Sequence, residues 1–286
     1  MGLGKQFKYI RERKHFTIEM VGHDIVTNNA LDAFEQGKKD VPLGKLQELL
    51  LRMGVSLRQF ANVSDRLSQT SQDARDEIHA TFMRGDAAKL KEMFDHPVEV
   101  AAGDEMLGFF DHMLIAGKYY TLTDEHLCSD DEVEQLTNML LENLTWDESE
   151  LDVLYWTLPL MNDNRAFMLS REVLGIIDTL RDWNFALYGA AWRAVLAGLA
   201  VLVERQSNFA DSLVRQIDIN EPMAEVLIAN RYTYMFLKSI MLVQKDNTTA
   251  NRETVVSVFK HTLPLESKTM EQHLRTINER TLNLEL

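Results

Sequence analysis

Residues that cross-link, break or punctuate a chain are scarce here. The 286 residues include one cysteine, five prolines and thirteen glycines. The single thiol, Cys128, excludes an intramolecular disulfide and a cysteine-ligated zinc site, and it suits a reducing cytoplasm. The eight histidines form no H-E-x-x-H and no His-x-x-x-His pair. The adjacent pairs Asp111-His112 and Glu125-His126 send their members to different sides of a helix. Neither G-x-G-x-x-G nor G-x-x-x-x-G-K-[ST] occurs, so the glycines make no phosphate loop. The first residues, M-G-L-G-K-Q-F-K, lack the apolar run of a signal peptide. The most apolar stretch, Ala186 to Val203, carries Arg193, and a central arginine favours a buried core helix over a membrane span. These absences point away from an enzyme, from a metal or cofactor protein, and from a membrane protein.

Charge is plentiful but uneven. The formal net charge is −14. Residues 1–62 hold 10 Lys/Arg against 7 Asp/Glu, and the remainder holds 20 against 37. A weakly basic head on an acidic body excludes a general nucleic-acid coat. It still allows local docking on DNA, because only the docking face must attract phosphate.

The head is organised around residues 26–41, V-T-N-N-A-L-D-A-F-E-Q-G-K-K-D-V. Thr27 is a good N-cap, since its hydroxyl can accept from a free N–H of the first turn. Ala30, Leu31 and Phe34 form one apolar stripe and leave Asn28, Asn29, Asp32, Ala33 and Gln36 facing outward. Gly37 suits a left-handed helix stop. Lys38 and Lys39 follow at the negative end of the dipole. Around this stretch, Lys5–Lys14 reads as a helix with Phe7 and Ile10 inward and Lys8, Arg11 and Lys14 on one flank. Thr17 caps a short helix with Ile18, Val21 and Ile25 inward. A fourth helix after Pro42 buries Leu46, Leu49, Leu50 and Met53 and stops at Gly54. Ser56 caps a fifth, carrying Leu57 and Phe60. Five short helices with exposed amides on the third make a helix-turn-helix, whose recognition helix suits base edges because Asn and Gln pair bidentately with adenine.

The strings G-K-x-F-K-x-I-R-E-x-K, F-T-I, V-T-N-N-A-L-D-A-F-E-x-G and L-x-x-L-L-x-x-M-G-V-S-L-x-x-F resemble the N-terminal domain of the Rgg/GadR/MutR transcriptional regulators, a branch of the XRE-type helix-turn-helix class. The recognition helix of that family resembles S-K-S-Q-L-S-R-F-E-R-G. This chain keeps Thr27, Leu31, Phe34, Glu35 and Gly37 and departs at Asn28, Ala30, Ala33 and Gln36, which removes three basic residues from the reading face. Lys8, Arg11, Lys38 and Lys39 are the remaining candidates for phosphate contacts. Further on, L-L-E-N-L-T-W-D-E-S-E-L-D-V-L (140–154) is similar to a second family segment through Trp146, Glu150 and Leu151, and the region near 240 is similar more loosely.

Beyond the head, 65–97 reads as a linker helix region and 98–286 as a helical body. Ser129-Asp-Asp-Glu132 and Thr145-Trp-Asp-Glu148 read as capping boxes. Helices are expected at about 98–119, 129–144, 145–161, 162–180, 183–205, 207–216, 222–244, 249–262 and 266–282. No segment shows sustained strand alternation. The fold class is therefore all-α, with an N-terminal helix-turn-helix (1–64) and an array of helical hairpins, a degenerate tetratricopeptide-like repeat that is right-handed in the resembled family.

The resemblance implies a cytoplasmic homodimer that binds a double-stranded promoter operator and whose body takes a short, apolar signalling peptide. The residues offer candidate ligands. Asn230, Tyr234 and Lys238 share one helix face by i, i+4, i+8 spacing. Arg193, inside an apolar helix, needs a carboxylate from a bound peptide or from an internal Asp or Glu. Arg165 and Asn184 stand near helix starts. No cofactor or metal is expected. The competing reading is a helical-repeat adaptor whose head is structural and does not read DNA.

Overall fold

The computed structural model describes residues 3–57, 60, 71–97, 105–142, 146–220 and 223–286. All regular structure among the described residues is helical. The chain divides into two compact units, Met1–Ala80 and Thr81–Leu286. The joint expected near residue 64 lies outside the described residues, and 81–97, expected in the linker region, belongs to the second unit.

The first unit opens with α1 (Leu3–Arg13), α2 (Ile18–Gly22), α3 (Asn28–Glu35) and α4 (Leu43–Arg52). The sequence sets each boundary. Thr17 Oγ1 accepts from Met20 N at 3.1 Å, and Thr27 Oγ1 accepts from Ala30 N at 3.2 Å. Gly37 and Gly54 stop α3 and α4 at φ of +69° and +68°, a conformation that costs a residue with a Cβ. The inward stripes meet in one core, in which Phe7, Val21, Leu31, Leu49 and Leu50 are fully buried. Burying each of these side chains contributes about 1.5–3 kcal/mol. The Phe7 and Phe34 rings meet edge to face at 5.7 Å, and Phe60 N donates to the Ser56 carbonyl at 3.0 Å. Gly4 lets α1 pass close over the end of α3, since a Cβ there would lie 1.7 Å from the Phe34 carbonyl oxygen.

After α5 (Ser71–Met83), the second unit holds α6 (Ala87–Asp95), α7 (Glu105–Thr123), α8 (Asp130–Glu142), α9 (Glu148–Thr157), α10 (Asp163–Gly175), α11 (Ile177–Trp183), α12 (Phe185–Glu204), α13 (Asn208–Ile219), α14 (Ile228–Lys245), α15 (Thr249–Lys260) and α16 (Lys268–Thr281). Successive contacts join α7, α9, α12, α14 and α16 into one layer, while α8, α10 and α13 form a second. Within the array α12 packs against the helix that follows it, α13, and α14 against α15, the arrangement of stacked hairpins.

Several boundaries differ from the sequence expectation. The start of the 98–119 helix and Thr145 lie outside the described residues. The box opening α9 is Asp147 with Glu150, whose side chain and backbone exchange hydrogen bonds at 2.8 and 2.9 Å. The stretch 162–180 splits at Ile176, and Asn184 rather than Trp183 starts α12. The Ser129–Glu132 box forms as expected, with Ser129 N donating to Glu132 at 2.8 Å. Helix α12 is long and apolar enough to cross a membrane, yet it packs against α9, α10, α11, α13, α14 and α16 as the centre of the array.

Candidate functional site

The head presents the outer face of α3. Asn28, Asn29, Asp32 and Gln36 are exposed, and Ala33 is half-buried beside them. Gln36 Nε2 donates to Asp32 Oδ2 at 2.6 Å, which ties the two side chains together across one turn. Thr27 spends its hydroxyl on the N-cap. Such a face has amides to pair with adenine and a carboxylate to accept from the cytosine amino group. Lys38 and Lys39 are exposed just past the helix, and exposed Lys8 stands 3.9 Å from Glu12. Arg11 departs from the expected set. It is 7% exposed, and its Nε and one terminal nitrogen donate to the two Glu35 oxygens at 2.6 and 2.8 Å. Its other terminal nitrogen donates to the Phe16 carbonyl at 2.8 Å. Arg11 therefore fastens α1 to α3 and has no free donor face for phosphate. The Glu35 hydrogen bond raises its pKa further above the ordinary arginine value.

In the array, most of the expected ligand residues already have partners. Tyr234 Oη donates to Asp218 at 2.7 Å, and Lys238 Nζ donates to both oxygens of the same carboxylate at 2.9 and 3.1 Å. The face read as free for ligand thus binds α14 to α13. Asn230 Nδ2 donates to the Gly189 carbonyl at 3.5 Å. Arg165 pairs with Glu134 at 2.8 Å, tying α10 to α8 in the second layer. Asn184 Oδ1 accepts from Ala186 N and Leu187 N as the cap of α12. Arg193 reverses the expectation in another sense. It is exposed, not buried, and its guanidinium lies 5.9 Å from the centre of the half-buried Tyr155 ring. It needs no internal carboxylate, because water solvates it. Burial raises the Tyr155 pKa, Arg193 opposes that shift, and Asp152 adds to it.

No protein-family model and no curated protein sequence matches the chain. Solved structures do. The Streptococcus dysgalactiae SHP pheromone receptor Rgg2 superposes with a TM-score of 0.75 at 14% identity, covering 97% of this chain and 99% of that one. The fold is that of the Rgg family. A proposed transcriptional regulator from Listeria monocytogenes EGD-e shares the Rgg fold at a TM-score of 0.69 and 15% identity, over 99% of both chains. A bacterial peptide pheromone/receptor complex follows at 0.61 and 11%, again over 99% of both. These Rgg-fold proteins are described as regulators or pheromone receptors, none as an enzyme.

On the first layer of this Rgg-fold array, Asp152, Tyr155, Arg193, Arg231 and Met235 all reach solvent. Of these, the sequence singles out Arg193 alone. The sequence hides that Arg193 reaches solvent, because the solvent-reaching stripe of α12, through Ala186, Gly189, Ala190, Ala197 and Ala200, is apolar by residue type. Alanine and glycine have little surface to bury, so they are tolerated on either side of a helix. The wheel of α12 therefore looks uniformly internal.

Proposed function

We propose that this chain is a cytoplasmic, homodimeric, sequence-specific DNA-binding transcriptional regulator whose helical array is controlled by a short signalling peptide. The observation that carries this reading is a pairing in one chain. A helix-turn-helix head with an exposed amide face precedes an array that follows a pheromone receptor over nearly its whole length. Asn28, Asn29, Asp32, Ala33 and Gln36 are assigned to the base edges, and Lys8, Lys38 and Lys39 to phosphates. Thr27 holds the start of α3. On the array, Arg193 above Tyr155 is assigned to the peptide, a cation and an aromatic face on the layer that spans the array. Arg165, Asn184, Asn230, Tyr234 and Lys238 are assigned to holding the array in shape.

The test is a gel shift with DNA from upstream of the chain's own gene, with and without peptide extract of the native culture. A discrete complex that survives competitor DNA and changes with extract supports the reading. Arg193→Ala should leave the DNA complex and the helical circular dichroism intact while removing the response to extract. One observation favours the adaptor reading: the exposed face of α3 carries an acid, Asp32, and no base. Binding no tighter than to random DNA, with extract present, would select the adaptor.

A further inference from the structure

A cleft of about 250 Å³ lies where α12, α13 and α14 meet, apart from the Arg193–Tyr155 pair. Ile217, Met223 and Met235 make its walls apolar. Trp192 lines it too, and this residue is 1% exposed with its indole N–H lacking any hydrogen-bond partner. A buried donor left unmade costs about 1–3 kcal/mol, so an acceptor from outside the chain is the natural complement. The polar groups on the rim sort by what they have already spent. Asp218 is taken by Tyr234 and Lys238. Asn220 uses one of its two amide N–H groups on the Gln216 carbonyl at 2.9 Å. Arg231 is exposed, and no partner holds its guanidinium among the described residues. The cleft therefore combines apolar walls with a buried donor, the Trp192 N–H, and a cationic one, Arg231, and its one carboxylate is already neutralised.

We propose that this cleft is a binding site for an aliphatic carboxylate, the chemistry of a branched side chain beside a free peptide C-terminus. The carboxylate sits between Arg231 and the Trp192 N–H, and the aliphatic group lies on Ile217, Met223 and Met235. A volume of this size holds about one residue, not a whole peptide. The inference rests on the array being the ligand-binding body and is independent of whether the head reads DNA.

The probes are N-acetyl-leucine, its C-terminal amide and 4-methylpentanoate, titrated into the full chain while tryptophan emission is followed. The free acid should bind and change the emission, and the amide should bind at least tenfold more weakly. Arg231→Gln, at an exposed position that tolerates change, should abolish the preference for acid over amide. Trp192→Phe should remove the emission change. Tighter binding of N-acetyl-leucine than of 4-methylpentanoate would assign the site to a peptide end, and equal binding to a free acid; both support a carboxylate site. Equal affinity for acid and amide, or no emission change at millimolar probe, would overturn it. The gel shift on the same preparation reports the regulator reading separately, so failure of the cleft and failure of DNA binding are told apart.

Discussion

At the scale of single residues, two cations, Arg11 and Lys118, are buried among the described residues. Arg11 meets Glu35, which is 3% exposed. Arg11→Ala would strand that carboxylate in the head core and should cost about 3–5 kcal/mol, read as a fall in the urea midpoint. Replacing the pair together, Arg11→Met with Glu35→Leu, should recover most of the loss. If the single variant melts like the parent, the buried-pair account is wrong. Lys118 is 1% exposed, with its Nζ 3.7 Å from the Trp156 ring centre and 4.9 Å from that of Phe82. Burial lowers its pKa from 10.5 to about 8, with Asp152 opposing. The unfolded chain therefore holds this proton more tightly. The penalty is full below pH 8 and fades as pH rises from 8 to 10.5. At about 1.4 kcal/mol per unit it amounts to roughly 3 kcal/mol. Lys118→Met should be the more stable protein at pH 7, and the gap should close as denaturation is repeated toward pH 10.5. A gap that stays constant with pH would refute the assignment. Sequence spacing put Arg11 on a basic flank and Arg193 in the interior, and both are reversed. Periodicity reports which residue types share a side, but Arg11 gains its place from a carboxylate 24 residues away. Arg193 keeps water because its neighbours on α12 are alanine and glycine.

At the scale of elements, the helices themselves were largely legible. Thr17, Thr27, Ser129, Gly37 and Gly54 act where local chemistry places them, because caps and left-handed stops depend on a few adjacent atoms. The misplaced boundaries have the same origin. The register expected from Thr145 opens outside the described residues, and the observed cap uses Asp147 with Glu150, which is itself buried. What no local rule carries is how closely two helices pass. Gly117 on α7 lies under the end of α9, where a Cβ would come within 2.3 Å of the Trp156 carbonyl oxygen. Backbone cannot yield as a flexible side chain does. Gly117→Ala should therefore push α7 from α9 and cost about 1–3 kcal/mol by overpacking, measured by thermal unfolding followed at 222 nm. Gly175→Ala, which meets nothing within 4 Å, is the control and should be neutral or slightly stabilising. Equal effects of the two would show that the close crossing does not matter.

At the scale of the whole molecule, order along the chain says little about which helices finally meet. Arg280 in α16 pairs with Asp124 after α7 at 2.9 Å across 156 residues, and nothing in either local sequence marks the other. The all-α class, the helix-turn-helix head and the hairpin array were readable from periodicity and caps, and the Rgg fold confirms that architecture. The face proposed for ligand was mostly hidden. Tyr234 and Lys238, which share a helix side, turn out to share Asp218 as well, so their alignment serves packing. The head is proposed to read DNA although α3 carries no exposed base. The most direct measurement is fluorescence anisotropy of the full chain on its own upstream DNA, titrated across about 50–200 mM salt. The account predicts tighter binding than to random DNA and a linear fall of log affinity with log salt. Lys38→Gln with Lys39→Gln should reduce that slope by about 2, near 0.9 per lost phosphate contact. Equal affinity for upstream and random DNA in the presence of culture peptides, with a slope unmoved by the double variant, would contradict it.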